Sequence, residues 1–236
     1  SNVKLLTREE IRPLAVDPTS PEFQLGRESI QRGGVLSLLL AGGSSNTVKK
    51  AMGYNKMVHR ALHVLVRLAN GQLATRWISI VQGRLGFLFG QSPDAKVGVI
   101  VSVGSPFPGE SSRSILPIVA EEHGERLEKG QIRVYTQRVQ PALNSQTGYA
   151  LRYSNGDVVT AAENHLWAFL SPLMDQVAMI DFLEKSDGVA VVGNGDNVLN
   201  FPREGMVGEI LKARSEGRPL ATVAMVTETD NDRKVG

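Results

Sequence analysis

The sequence predicts an α/β fold, a three-layer αβα sandwich around a mostly parallel central sheet. Two observations carry this. Short apolar runs of strand length recur at 35–41, 96–103, 132–136, 189–192 and 220–226. Near-continuous runs of this kind suit strands buried on both faces, as in parallel sheets. Stretches with helical spacing stand between them, and strands alternating with helices make a parallel sheet. The 236 residues are enough for one large domain with a substantial core.

The elements follow in order. Residues 1–32 read as an N-terminal extension and 33–236 as one α/β domain. In the extension Thr7-Arg8-Glu9-Glu10 resembles a helix start. Asp17-Pro18-Thr19-Ser20-Pro21 then breaks any helix. Val35-Leu36-Ser37-Leu38-Leu39-Leu40-Ala41 is the first strand and ends in Gly42-Gly43. Residues 57–70 read as an amphipathic helix, with Met57, Val58, Ala61, Leu62, Leu65, Leu68 and Ala69 on one face and His59, Arg60, His63 and Arg67 opposite. A second helix-like stretch covers about 76–89. Residues 96–103 form the second strand. A helix over 112–129 must place Pro117 in its first turn or bend there. Residues 132–136 make the third strand, and 138–160 read as loop. Two helices are expected at about 162–170 and after Ser171, whose cap is followed by Pro172. Val189-Ala190-Val191-Val192 is the fourth strand, 203–216 a helix, and 220–226 the fifth strand.

Composition narrows the function. The chain has 42% hydrophobic and 21% charged residues, which excludes wholesale disorder. A formal charge of +2 is too balanced for a protein that wraps DNA or docks through a polybasic face. The basic residues lack interleaved aromatics, so no nucleic-acid partner is expected. No cysteine is present, which removes disulfides, thiolate metal sites and cysteine nucleophiles. No apolar stretch approaches the ~20 residues that span a bilayer. No apolar signal core stands at the N-terminus. The expectation is therefore a cytoplasmic protein without a membrane partner.

Open α/β sheets bind ligands beyond the carboxyl ends of their strands, so the residues just after 41, 103, 136 and 192 are the candidates. Gly42-Gly43 lets a backbone approach a base or phosphate, and Lys49, Lys50 and Lys56 follow within reach of phosphates. The alternative is a tight turn on a solvated basic loop. Neither the Rossmann glycine fingerprint nor a Walker loop is present. Gly193-Asn194-Gly195-Asp196-Asn197 places a carboxylate at a strand end between glycines and amides. Mg²⁺ takes one or two carboxylates and completes its shell with phosphate oxygens, so Asp196 suits it. The alternative is an Asn-Gly turn with Asp196 as a cap. His59 and His63, four apart, have the spacing of a zinc pair but no third ligand nearby in sequence, and read as a solvated face. His123 reads as exposed. There is no nucleophile elbow and no H-E-x-x-H.

The order of these sites resembles the UTP–glucose-1-phosphate uridylyltransferases, or UDP-glucose pyrophosphorylases. Leu40-Ala41-Gly42-Gly43 is similar to that family's L-x-G-G loop. Residues 96–105 resemble its second strand with the following serine. Gln137 stands four before Pro141, as in its Q-x-x-x-P stretch. Asn194-Gly195-Asp196-Asn197 resembles its N-x-D-N, and residues 225–230 its later V-T-x-K-T strand. The resemblance runs from about residue 33 to 236 and implies a nucleotide-diphospho-sugar transferase (GT-A-like) architecture.

It also implies roles. Gly42, Gly43, Gln137, Ala162 and Asn197 would bind the nucleotide, with the Gly43 backbone and Gln137 on the base. Lys56 would bind the triphosphate, a role Lys49 or Lys50 can also fill. Asp196 would hold Mg²⁺ and the phosphates, making Lys56 and Asp196 the catalytic pair. Asn194 and Glu163 would face the sugar phosphate. Two departures from the family pattern stand out. Ala162 replaces a glycine that meets uracil, and Glu163 replaces a histidine that meets the sugar phosphate. A carboxylate there repels an incoming phosphate unless a cation intervenes. The family also continues past Gly236, so the C-terminal portion of its fold is expected to be absent. The expected partners are UTP or a UDP-sugar together with a sugar 1-phosphate. The expected activity is synthesis of a UDP-sugar with release of pyrophosphate. The alternatives are a non-catalytic nucleotide- or sugar-nucleotide-binding protein on the same fold and a metal-dependent glycosyltransferase.

Overall fold

A computed structural model describes residues 17–41, 56–68, 70–102, 110–137, 139–162, 184–197 and 201–218. Contacts divide the chain into two compact units, one of 1–27 with 203–236 and one of 28–202.

The second unit is built on four strands, β1 (Val35–Leu40), β4 (Lys96–Ser102), β5 (Ile132–Gln137) and β8 (Val189–Asn194). They pair in the order β5-β4-β1-β8, and every pairing is parallel. Leu36, Leu38 and Leu39 of β1 and Val97, Val99, Ile100 and Val101 of β4 are all buried. Successive strand residues point to opposite faces, so this density of burial means both faces are covered. The mixed α/β class and the parallel sheet therefore stand as the sequence predicts.

On the face carrying Leu39, Val97, Val99 and Val101 the core is completed from two helices, α2 (Ile80–Gln91) and α3 (Glu110–Glu128). Val81, Leu85 and Leu88 come from α2, and Ile115 and Val119 from α3. Ser79 starts α2 through a capping box: its Oγ accepts from Gln82 N–H and its own N–H donates to Gln82 Oε1 at 2.7 Å. Pro117 lies inside α3, well past the first turn, and the residue that leaves helical geometry is His123.

Several expectations are corrected. Residues 57–70 are not a helix. A short 3-10 turn, Lys56–Val58, leads to β2 (Leu62–Arg67), which pairs antiparallel with β3 (Leu73–Ile78). Leu62, Val64 and Val66 are half-buried while His63, Leu65 and Arg67 are exposed, the period of a strand. His63 stacks on Trp77 across the pair, with ring centroids 4.7 Å apart, so it shares no helix face with His59. Of the expected helix over 76–89, the first part is strand and only the part after Ser79 is helix. Nor is 138–160 only loop. β6 (Val139–Pro141) pairs antiparallel with β7 (Thr160–Ala162), and bridges at Leu143–Ala150 and Arg152–Val158 rung the segment between. His123 is half-buried, against Phe89.

The prolines near the N-terminus begin a helix instead of only breaking one. Ser20 Oγ accepts from Phe23 N–H, and Pro21 occupies the first position of α1 (Pro21–Gln31). In the first unit this helix meets α4 (Glu204–Ser215) backbone to backbone. A Cβ on Gly26 would lie 1.8 Å from Glu204 O, and one on Gly208 1.7 Å from Glu22 O. Lys212 and Glu22 form an ion pair beside that contact. The expected helices after 162 and 171 and the strand at 220–226 lie outside the described residues. No helix among the described residues is long and apolar enough to cross a membrane.

Candidate functional site

The order of the parallel strands directs attention to the carboxyl ends of β1 and β8. The chain leaves β1 for β4 on one side, while β8 comes in on the other. At such a switch point the connections after neighbouring strands run to opposite faces and leave a gap beyond their carboxyl ends. The last residues of β1 and β8, Leu40 and Asn194, are register partners.

Backbone geometry continues the pairing one step further. Gly195 N–H donates to Leu40 O at 2.9 Å, and Asn197 N–H donates to Asn194 O at 3.1 Å, closing a turn over Gly195 and Asp196. Gly195 is buried, Asp196 is partly exposed, and Asn194 and Asn197 are exposed. A Cβ at 195 would stand 2.9 Å from Met57 Cε and 3.1 Å from Leu40 O, so the position takes a glycine to let the three segments meet. Ala41 N–H donates to Ile100 O at 2.8 Å and holds the exit of β1 against β4. Gly42 and Gly43 follow at once and lie outside the described residues, as do Lys49, Lys50 and Glu163.

Lys56 opens the 3-10 turn whose next residue, Met57, is buried against Gly195. The backbone therefore brings position 56 beside the Asp196 turn. Met57 is the contact that the sequence reading missed, because its role depends on a meeting of segments 138 residues apart, Met57 and Gly195. A methionine in an apolar face carries no local sign of it.

A second group forms at the opposite edge of the same sheet end. Gln137 is the last residue of β5, opposite Ser102 of β4. The chain turns at once into β6, where Val139 pairs with Ala162. Positions 137 and 162 are thereby neighbours in space although distant in sequence. From β5 to β8 is three strand spacings, roughly 14 Å. The carboxyl end thus offers two clusters, 137 with 162 and 56 with 194–197, on either side of the exit of β1.

Among the described residues no group of three histidines or carboxylates stands together for a metal. The donor set at the turn is one carboxylate with amide side chains on both sides. That does not cage a cation, but it fits Mg²⁺ shared with ligand phosphates. A concavity of about 640 Å³, lined by residues such as Asp94, His123 and Gln131, lies at the other end of the strands. It is open and charged, and none of the described residues just after Leu40, Gln137 or Asn194 lines it.

No protein-family model and no curated protein matches the chain. Solved structures do. A UDP-N-acetylglucosamine pyrophosphorylase from Trypanosoma brucei, in complex with an inhibitor, superposes with a TM-score of 0.53 at 17% identity, over 82% of this chain and 38% of that one. A putative UDP-N-acetylglucosamine pyrophosphorylase from Entamoeba histolytica gives 0.53 at 18%, over 85% and 48%. The UDP-glucose pyrophosphorylase of Leishmania major gives 0.52 at 15%, over 86% and 38%. The fold is the one these pyrophosphorylases share. The chain spans less than half the length of each of these structures.

Proposed function

We propose that this chain is a uridylyltransferase-type domain that binds UTP beyond the carboxyl ends of β1, β4, β5 and β8 and transfers its uridylyl group to a sugar 1-phosphate. The observation that carries the reading is the meeting of the β1 and β8 ends, with Leu40 opposite Asn194 and Asp196 on the adjoining turn. The UDP-sugar pyrophosphorylases among the structural neighbours support it.

In this reading a phosphate oxygen of the sugar 1-phosphate attacks the α-phosphorus of UTP. The bond from the α-phosphorus to the bridging oxygen breaks, and pyrophosphate leaves with that oxygen. No covalent enzyme intermediate is required. The chain's part is alignment and charge placement. Gly42, Gly43, Gln137, Ala162 and Asn197 hold the nucleotide, Lys56 neutralises the phosphates, and Asn194 faces the sugar phosphate. Asp196 would hold Mg²⁺, whose chemistry there is charge neutralisation of the triphosphate.

Calorimetry tests the site. UTP with Mg²⁺ should bind the unaltered chain, and Asp196→Ala should abolish the Mg²⁺-dependent part. Unchanged affinity in that variant removes Asp196 from the site. A second reading, a non-catalytic binder of the nucleotide or sugar nucleotide, is favoured by Glu163, a carboxylate where the resemblance expects a phosphate-binding histidine. Pyrophosphate release from UTP and glucose 1-phosphate separates the two: turnover by the chain eliminates the binder, and UTP binding without turnover supports it.

A further inference from the structure

The amino ends of the same four strands carry a feature that the proposed reaction does not use. A groove of about 350 Å³ is lined by Arg32, Lys96, Lys129, Arg133 and Lys185, with Asp94 as the one carboxylate among its described lining residues. These residues come from separate parts of the chain. Arg32 stands three before β1, Lys96 opens β4, Lys129 precedes β5, Arg133 lies within it, and Lys185 stands four before β8. All four strands thus bring a cation to one end of the sheet. No single helix or loop accounts for the cluster.

The groove is held in shape by bonds of its own. Lys96 Nζ donates to Lys185 O at 2.6 Å, which ties the start of β4 to the approach of β8. Arg32 Nη2 and Ser29 Oγ both donate to Asp187 Oδ2 at 2.6 Å. Gln131 Nε2 and Arg126 Nη1 donate to Pro93 O at 2.9 and 2.7 Å and fix the wall behind Lys129 and Gly130. An ammonium has three N–H donors and a guanidinium five, so each can hold several acceptors at once.

We propose that this groove is a second anion site, one that holds the phosphate group of a small phosphorylated ligand. Several cations converging on one groove favour a dianion over a singly charged carboxylate. Burial lowers the Lys96 pKa, Asp187 and Asp94 pull against that, and Lys185 adds to it. The net direction is down, so an added negative charge would be welcome to this ammonium. The chemistry argues against nucleic acid. Among the described residues no aromatic side chain lines the groove, and the chain's formal charge is only +2. The strands are six or seven residues long, which puts the groove roughly 20 Å from the Asp196 turn. The two sites therefore share no residue.

Titration of the ¹⁵N-labelled chain with inorganic phosphate tests this, because amide shifts report where the ion goes. The expected result is saturable shifts at Gly130, Gln131 and Lys185, retained in Asp196→Ala. Lys96→Gln combined with Lys185→Gln should weaken phosphate binding at least tenfold, and the corresponding Arg substitutions should restore part of it. The melting temperature of each variant checks the fold. If the double variant does not fold, Lys129→Gln, at an exposed position, must weaken binding instead. Shifts that do not saturate, shifts confined to 194–197, or unchanged affinity in the variants would overturn the proposal. So would tight heparin binding at these amides without saturable phosphate binding, which would mark a polyanion surface.

Discussion

At the amino ends of the parallel strands Asp187 accepts from Ser29 Oγ and Arg32 Nη2, each at 2.6 Å, and is only 22% exposed. At the carboxyl ends Asp196 stands on a turn between two exposed asparagines. One sheet therefore presents two strand-end carboxylates, the first in a hydrogen-bonded cluster with Ser29 and Arg32 and the second on a tight turn. Burial by itself would raise the Asp187 pKa, but the hydrogen bonds from Arg32 and Ser29, with the charges of Arg32 and Lys96, outweigh it and hold it below the ordinary carboxylate value. Asp187 serves to hold the chain: its N–H donates to Gly34 O at 2.8 Å, just before β1, and so sets where β8 begins beside β1. The difference teaches that strand-end carboxylates of one sheet need not do the same work: Asp187 anchors the chain at the amino end, and Asp196 stands on a short glycine turn at the carboxyl end.

The comparison breaks first at Gly34. A Cβ there would lie 2.2 Å from Asp187 Oδ2 and 3.0 Å from Ser29 O. Gly34→Ala must displace the carboxylate or the strand, and should cost about 3 kcal/mol of stability, combining overpacking with a lost charge-assisted hydrogen bond. Urea unfolding measures it. A loss well under 1 kcal/mol would show that the amino end is not the anchored one.

Gly195→Ala sharpens the other side. Its new Cβ meets the movable end of Met57 at 2.9 Å and Leu40 O at 3.1 Å. The stability cost should be smaller, about 1 kcal/mol, while the shifted turn should lower UTP affinity about tenfold. If the two glycine variants lose equal stability and ligand binding is unaltered, the division of labour between the ends is wrong.

The smallest effect is a pH dependence at the amino end, where His123 lines the wider concavity. Burial disfavours its imidazolium, Arg126 adds to this, and Glu122 partly opposes it, so the pKa in the folded chain lies below the ordinary 6.5. The unfolded chain then takes up this proton first as pH falls. Stability from the neutral ring is complete above the ordinary histidine value and declines on acidification until the folded pKa is passed. Asp187 acts in a separate window, since its contribution is lost only below the ordinary carboxylate range. The melting temperature should fall slightly between about pH 7.5 and pH 5.5, and less so in His123→Gln. Equal falls in both chains would exclude His123 as the cause.

The parallel strands were legible because runs such as Val35–Leu40 and Lys96–Ser102 have one good solution in water, burial on both faces. The β2–β3 pair was not, although signs of it were present. Val64 and Val66 are β-branched, and Asn70-Gly71 is a common hairpin turn pair. Apolar residues are so dense over 57–69 that helical and alternating spacing are both satisfied, and the extended pairing decides between them. The Ser79-Ile80-Val81-Gln82 capping box was the local signal that would have placed the start of α2 correctly. Asp196 and Gln137 were readable as strand-end residues. Their neighbours were not, because Met57 beside Gly195 and Ala162 beside Val139 are matters of long-range register.

By itself, then, the sequence determined the fold class, the positions of four parallel strands and the glycine- and asparagine-rich turn that follows the last of them. Hydrophobic run length and turn chemistry are local properties, and a chain cannot hide them. Only the tertiary structure decided the strand order β5-β4-β1-β8, the hairpin of β2 and β3, and the gathering of Arg32, Lys96, Lys129, Arg133 and Lys185 at the far end of the sheet. These depend on which strand finds which neighbour. That choice is made by contacts between residues distant in the chain, where side-chain burial and hydrogen bonding across strands outweigh local preference.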